Sequence, residues 1–154
     1  MRIMFVCHGN ICRSPMAEFI FKKMCAPDQR NDIEVSSSAT SSEEIWNGIG
    51  NPVYPPAKEI LKKNGIDCGN KRATQLKKID YDAYDLFVVM DENNLRNIFR
   101  IFGNDSEHKV KKLLDFTENG GDVADPWYSG NFEKAYDDIN RGCRALYETI
   151  IRLN

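Results

Sequence analysis

The chain has 154 residues, a formal net charge of -2, 42% apolar and 29% charged residues, which fits one soluble globular domain over residues 1–154 with room for a core. The lysine pairs Lys22-Lys23, Lys62-Lys63, Lys77-Lys78 and Lys111-Lys112 are scattered among acidic residues, so they read as solvated faces and nucleic acid is not expected as a partner. No apolar run is long enough to span a bilayer and the N-terminus lacks a secretory pattern, so a cytoplasmic protein without a membrane partner is expected.

The first apolar run, ending at Val6, leads into Cys7-His8-Gly9-Asn10-Ile11-Cys12-Arg13-Ser14-Pro15, after which Ala17, Ile20, Phe21 and Met24 recur at helical spacing. A strand therefore feeds a loop, and the loop opens a helix. Helix N-termini carry unpaired amides and the positive end of the dipole, so this junction favours a bound anion. Pro15 suits the first helical position and Ser14 the cap before it. Gly9 and Asn10 are the residue types that most readily take a left-handed backbone, which would turn the amides of His8 to Ser14 inward around a tetrahedral oxyanion.

Helix amides and a neighbouring guanidinium favour the thiolate of a cysteine, so Cys7 is the candidate nucleophile. Arg13 offers a planar, permanently charged fork that matches two phosphoryl oxygens. Ser14 has two competing uses, capping the helix or donating its hydroxyl to the Cys7 sulfur. Cys12 lies in the same loop, where oxidation to a bridge with Cys7 is left open. Cys25, Cys68 and Cys143 read as buried or incidental thiols. Five cysteines at irregular spacing, with only His8 and His108 beside them, form no metal signature, and neither metal nor cofactor is expected.

After the helix from Pro15 to Cys25, Asp32 to Ser36 reads as a second strand. Residues 36–52 are small, polar or helix-breaking and read as a long surface loop, with Trp46 and Tyr54 as a candidate aromatic wall for a flat substrate. Pro55-Pro56 starts a helix that Asn64-Gly65 stops, and a brief extended piece is expected at Ile66. Tyr84 to Met90 is the apolar run of a central strand. Asp91 caps a helix carrying Leu95, Ile98, Phe99 and Phe102, which Gly103 ends. Val110 to Phe116 reads as the last strand, 117–130 as a loop, and Phe132 to Ile150 as a long closing helix. Strands alternating with helices predict an α/β fold with a four-stranded parallel sheet covered on both faces and a ligand site beyond the strands' carboxyl ends, where Cys7 lies.

Attack on a phosphate ester needs a proton for the leaving oxygen, and Asp125-Pro126-Trp127-Tyr128, after a Gly-Gly turn, supplies the candidate acid. With both segments in view the chain resembles the low molecular weight protein tyrosine phosphatases. Cys7 to Pro15 matches that family's nucleophile loop and Asp125 to Tyr128 its acid loop, with landmarks at Ser37 to Ser41, Gly50-Asn51-Pro52, Met90-Asp91-Glu92 and Asn94-Leu95-Arg96 in the same order. The resemblance implies a flavodoxin-like three-layer sandwich and hydrolysis of protein phosphotyrosine or small aryl phosphates to inorganic phosphate through a cysteinyl-phosphate. It also implies Cys7 as nucleophile, Arg13 and the loop amides on the phosphate and Asp125 as acid and base; apart from the resemblance, a monomer is the default expectation. Trp46, Trp127 and Tyr128 would flank the substrate ring, and Asn10 with Ser37 would buttress the loop.

Departures from that pattern are His8, where an aliphatic residue is more usual and an imidazole is placed to gate the pocket or shift its pH profile, extra residues around Trp46-Asn47-Gly48, and Lys71 in place of a supporting histidine, for which a pairing with Asp91 is expected. Three other functions compete with this one. A related arsenate reductase needs a resolving thiol, and Met90 to Asp105 carries no cysteine. A phosphoarginine-specific branch prefers a hydroxyl residue where Ile11 stands. A phosphopeptide-binding module without turnover would not need Cys7, Arg13 and Asp125 together.

Overall fold

The computed structural model describes residues 1–153. Four parallel strands, β1 (Arg2–Cys7), β2 (Glu34–Ala39), β5 (Leu86–Val89) and β6 (Val110–Lys112), lie in the order β2-β1-β5-β6. A separate antiparallel hairpin joins β3 (Ile45–Trp46) to β4 (Ile49–Gly50). The helices are α1 (Arg13–Cys25), α2 (Pro55–Lys63), α3 (Asp80–Ala83), α4 (Glu92–Phe102), α5 (Pro126–Ser129) and α6 (Phe132–Leu153), with a 3-10 turn at Leu113–Phe116.

The period-two alternation of β1 builds the layers. Ile3, Phe5 and Cys7 face the core shared with α1, α2 and α6, while Met4 and Val6 face Phe87, Val89, Ile98 and Phe102 on the α4 side. The β1–β5 register, Met4 opposite Phe87 and Phe5 opposite Val88, keeps both faces apolar. This is the expected flavodoxin-like sandwich, with Cys7 at the carboxyl end of an inner strand. Among the described residues no helix is long and apolar enough to cross a membrane.

Several elements depart from the sequence reading. β2 runs on to Ala39 because Ser36 to Ser38 pair with Met4 to Val6 and their hydroxyls find partners in Tyr84, Glu18 and Met4. The last strand stops at Lys112, opposite Val89 where β5 ends; without a neighbour to pair with, Leu113 and Leu114 turn into the 3-10 segment and bury against α6. Residues 36–52 are not one loop, since Asn47 (φ 51°) and Gly48 (φ 76°) make the two-residue turn of a hairpin. Ile66 joins no strand; its amide closes α2 on Leu61 O at 2.9 Å. The four-residue α3 and α5 are too short to show a helical period.

Gly142 lies where α6 crosses the 3-10 turn, and a Cβ there would stand 2.5 Å from Leu113 Cγ. Alanine normally gains about 1 kcal/mol over glycine inside a helix, but Leu113 is fully buried and overpacking costs about 1–3 kcal/mol. Gly142→Ala is therefore expected to lower the urea midpoint; an unchanged or raised midpoint would show that the crossing can relax.

Candidate active site

Cys7 ends β1, and the chain turns over it before entering α1. Asn10 takes the left-handed conformation (φ 60°), while Gly9 stays outside that region and serves by its missing side chain, since a Cβ there would meet Glu44 Cγ at 3.2 Å. The Asn10 amide N–H points at Cys7 Sγ, 3.4 Å away. Its side chain is fully engaged: Oδ1 accepts from Thr74 N at 3.0 Å, and Nδ2 donates to Ser14 Oγ at 2.7 Å and Ser37 Oγ at 3.0 Å.

This inventory sets the direction of every bond around it. Ser14 Oγ accepts from Asn10, so its own proton is free for Cys7 Sγ, 3.0 Å away. Cys12, not Ser14, holds the N-cap position of α1, and no side chain caps that end. The competition foreseen for Ser14 is settled in favour of the sulfur. Ser37 in turn donates to Glu18 Oε1 at 2.5 Å, and Glu18 also accepts from Lys22 at 2.5 Å.

Arg13 is 2% exposed. Its Nη1 donates to Asp91 Oδ2 at 2.7 Å and Val123 O at 2.8 Å, and Nη2 lies 3.4 Å from Asp125 Oδ2. Burial opposes the charge, but Cys7 and Asp91 outweigh it and hold the guanidinium above its ordinary value. Asp91 does two jobs, since its Oδ1 also caps α4 through Asn94 N at 2.7 Å. Asp125 caps α5 by accepting from Trp127 N at 3.0 Å, so its two oxygens are divided between the backbone and Arg13.

One pocket gathers Cys7, His8, Gly9, Ile11, Cys12, Arg13, Asp125, Trp127 and Tyr128. Asn10 and Ser14 belong to the loop but not to the pocket lining, and the Asn10 carboxamide joins Ser14 to Ser37. Trp46 is not in the pocket lining; it projects from the hairpin, 79% exposed. Tyr54, expected beside Trp46, instead packs in tilted contact with Trp127, ring centroids 4.8 Å apart, and with Phe132 at 5.9 Å, beside the Asp125 loop. Glu43 and Glu44, which sequence reasoning missed, also line the pocket, with Glu43 Oε2 at 3.0 Å from His8 Nε2.

A family model described as low molecular weight phosphotyrosine protein phosphatase matches residues 2–153. The chain belongs to that family. The low molecular weight protein-tyrosine-phosphatase YfkJ of Bacillus subtilis is 37% identical over 150 residues, 96% of this chain and 94% of the relative. PtpA of Staphylococcus aureus, of the same description, is 36% identical over 151 residues, 97% of this chain and 94% of the relative. The crystal structure of YfkJ superposes with a TM-score of 0.93 at 35% identity, covering 100% of this chain and 96% of that one. A structure of the arginine phosphatase YwlE, a cysteine-to-serine mutant with a phosphorylated active-site serine, gives a TM-score of 0.82 at 28% identity, covering 97% of this chain and 95% of that one.

Within this phosphatase family frame, the expected Lys71–Asp91 pair is absent among the described residues, because Arg13 takes Asp91. Lys71 donates to Ser37 O at 3.0 Å and lies 3.9 Å from Glu18 Oε1, and burial lowers it below the usual lysine range against the pull of Glu18. It still supports the phosphatase loop, from behind Ser37. Glu18 had a sequence signal that went unread: Ser14, Glu18 and Lys22 recur four apart on a helix otherwise apolar on that side. The sequence offers Asp91 as a cap and as a partner for Lys71 but not for Arg13, since no local pattern announces a partner 78 residues away.

Two expectations follow. Asp91→Asn keeps a cap acceptor but removes the charge that balances buried Arg13, and should cost about 2 kcal/mol in urea denaturation, less than the full loss of a buried pair because Val123 O and Asp125 remain; Asp91→Ala should cost about 1 kcal/mol more through the lost cap. Burial, with Cys7 and Asp125 adding to it, pushes the Cys12 thiol up to about 12. It should stay protonated and unalkylated by iodoacetamide near neutral pH in the folded protein and become labelled after denaturation, as read by peptide mass spectrometry.

Proposed function

We propose that this chain hydrolyses phosphotyrosine in proteins, and small aryl phosphates, through a cysteinyl-phosphate on Cys7. The observation that carries the reading is the convergence of a thiol, a buried guanidinium and a carboxylate on one pocket at the carboxyl end of β1. The Cys7 sulfur attacks phosphorus, the bond from phosphorus to the aryl oxygen breaks with its electron pair on that oxygen, and Asp125 gives the oxygen a proton. Water then attacks phosphorus while Asp125 takes its proton, the phosphorus–sulfur bond breaks, and inorganic phosphate leaves with Cys7 restored.

The geometry supports parts for the remaining groups. Arg13 Nη1 is committed to Asp91 and Val123, which leaves the Nε and Nη2 edge for two equatorial phosphoryl oxygens. The α1 N-terminus adds amides with no partner inside the helix. Ser14, oriented by Asn10, donates to the sulfur and so favours its departure from the phosphoenzyme. Trp127, half exposed, and Tyr128, largely exposed, flank the mouth where an aromatic leaving group passes. Ile11 brings no hydroxyl to the pocket, which supports phosphotyrosine over phosphoarginine. Five free cysteines suit a reducing cytoplasm, where the chain is read as acting as a monomer.

Phosphate release should be measured from 4-nitrophenyl phosphate and from phosphotyrosine, phosphoserine and phosphoarginine peptides. Aryl phosphate and phosphotyrosine are expected to turn over, Cys7→Ser to abolish release, Asp125→Asn to lower kcat by about 10²–10⁴-fold, and Ser14→Ala to lower it by about tenfold through the lost hydrogen bond. Phosphopeptide binding without release would leave a binding module, and faster turnover of phosphoarginine would reassign the substrate.

A further inference from the structure

The hairpin beside the pocket is secured at its foot and bare at its tip. At the foot, Asn51 N donates to Glu44 O at 2.8 Å, Asn51 Nδ2 to Glu44 Oε2 at 2.7 Å and Arg72 Nη1 to Gly50 O at 2.9 Å. Gly50 packs so closely on the next segment that a Cβ would stand 1.9 Å from Ala73 O. Ile45, opposite Gly50, packs inward on Ile11, Cys12 and Ala73. By strand alternation the next pair, Trp46 and Ile49, faces outward, and these two are 79% and 63% exposed. Two large apolar side chains held side by side on an anchored support, next to a substrate pocket, form a surface ready to bury something.

Charge points to what that is. Glu43 and Glu44 line the pocket, and His8 meets the Glu43 carboxylate at 3.0 Å. Two carboxylates beside a pocket that takes a phosphate repel an approaching anion, unless the molecule bearing the phosphate also brings a cation to meet them.

We propose that the β3–β4 hairpin and the Glu43-Glu44 pair at its foot dock the polypeptide flanking the phosphorylated residue, and that the flank it fits carries a basic side chain and an apolar one. The inference rests on the phosphotyrosine reading above. The basic side chain meets Glu43 and Glu44, the apolar one covers Trp46 and Ile49, and the phosphorylated ring enters between the hairpin and the acid loop. A small aryl phosphate has no flank and uses the pocket alone.

The test compares kcat/KM for phosphotyrosine peptides that differ only in their flanks, Arg against Glu and Leu against Ser, each divided by the value for 4-nitrophenyl phosphate on the same enzyme. The wild type is expected to favour the Arg and Leu flanks by about tenfold. Glu43→Gln with Glu44→Gln should erase the Arg preference, and Trp46→Ser with Ile49→Ser the Leu preference. Indifference of the wild type to the flanks, or variants in which peptide and aryl phosphate fall in equal proportion, would overturn the docking surface while leaving the phosphatase reading intact. A wild-type dimer in sedimentation that Trp46→Ser with Ile49→Ser dissociates would overturn it too, since the tip would then meet a second copy. Turnover of no phosphotyrosine substrate by the wild type would reject the phosphotyrosine reading, and the docking surface with it.

Discussion

A guanidinium 2% exposed cannot stand without compensation, and the arrangement of the pocket follows from how Arg13 obtains it. Asp91 arrives from the carboxyl end of β5, Val123 O from the segment after the 3-10 turn, and Asp125 from the cap of α5. Two segments distant in the chain, one at residue 91 and one at residues 123–125, therefore close on one side chain at the start of α1. The same pairing that neutralises Arg13 holds Asp125 beside it in the pocket that Cys7 also lines. Stability and chemistry draw here on the same contacts.

A second constraint is the left-handed backbone at Asn10, which puts an amide on the Cys7 sulfur. An alanine there would suffer the steric penalty and offer nothing in return, whereas the asparagine carboxamide ties the turn to Thr74, Ser14 and Ser37. Because each of its donors and its acceptor is spoken for, polarity runs one way through Ser14 to the sulfur and the other way through Ser37 to Glu18. Glu18 is the buried charge that anchors this line, answered by Lys22 and by the nearby Lys71. Placing a lysine at position 71 keeps a cation behind the loop while its other bond, to Ser37 O, holds β2 in place.

The hairpin obeys a different logic. Its inward residues, Ile45 and Gly50, are selected by close packing, while its outward pair meets solvent at the edge of the pocket. Ordering such a tip in advance spares the entropy of ordering it on contact, which fits a recognition surface better than a connecting loop. The site thus has a buried side, around Arg13 and Cys7, and an exposed side at the hairpin tip.

Much of this was legible in local sequence. The run to Val6, the spacing from Cys7 to Arg13, the helical recurrence after Pro15 and the Asp125-Pro126 turn depend on neighbouring residues, and alternation and capping act over a few positions, so they locate the first strand, the loop and the turn at Asp125 from the chain alone. The Asn47-Gly48 turn was legible too, by the same rule, although the breakers around it masked the two short strands. The end of β6 was not, because strand length is decided by whether a partner continues alongside. Nor was the choice of Asp91 over Lys71's company, since a carboxylate pairs with whichever cation the fold brings near, and 78 residues separate it from Arg13. The sequence by itself determined which chemical groups the protein has and which local elements carry them. Tertiary structure alone decided which of them meet, because burial and hydrogen-bond satisfaction are settled between segments that only the folded sheet places side by side.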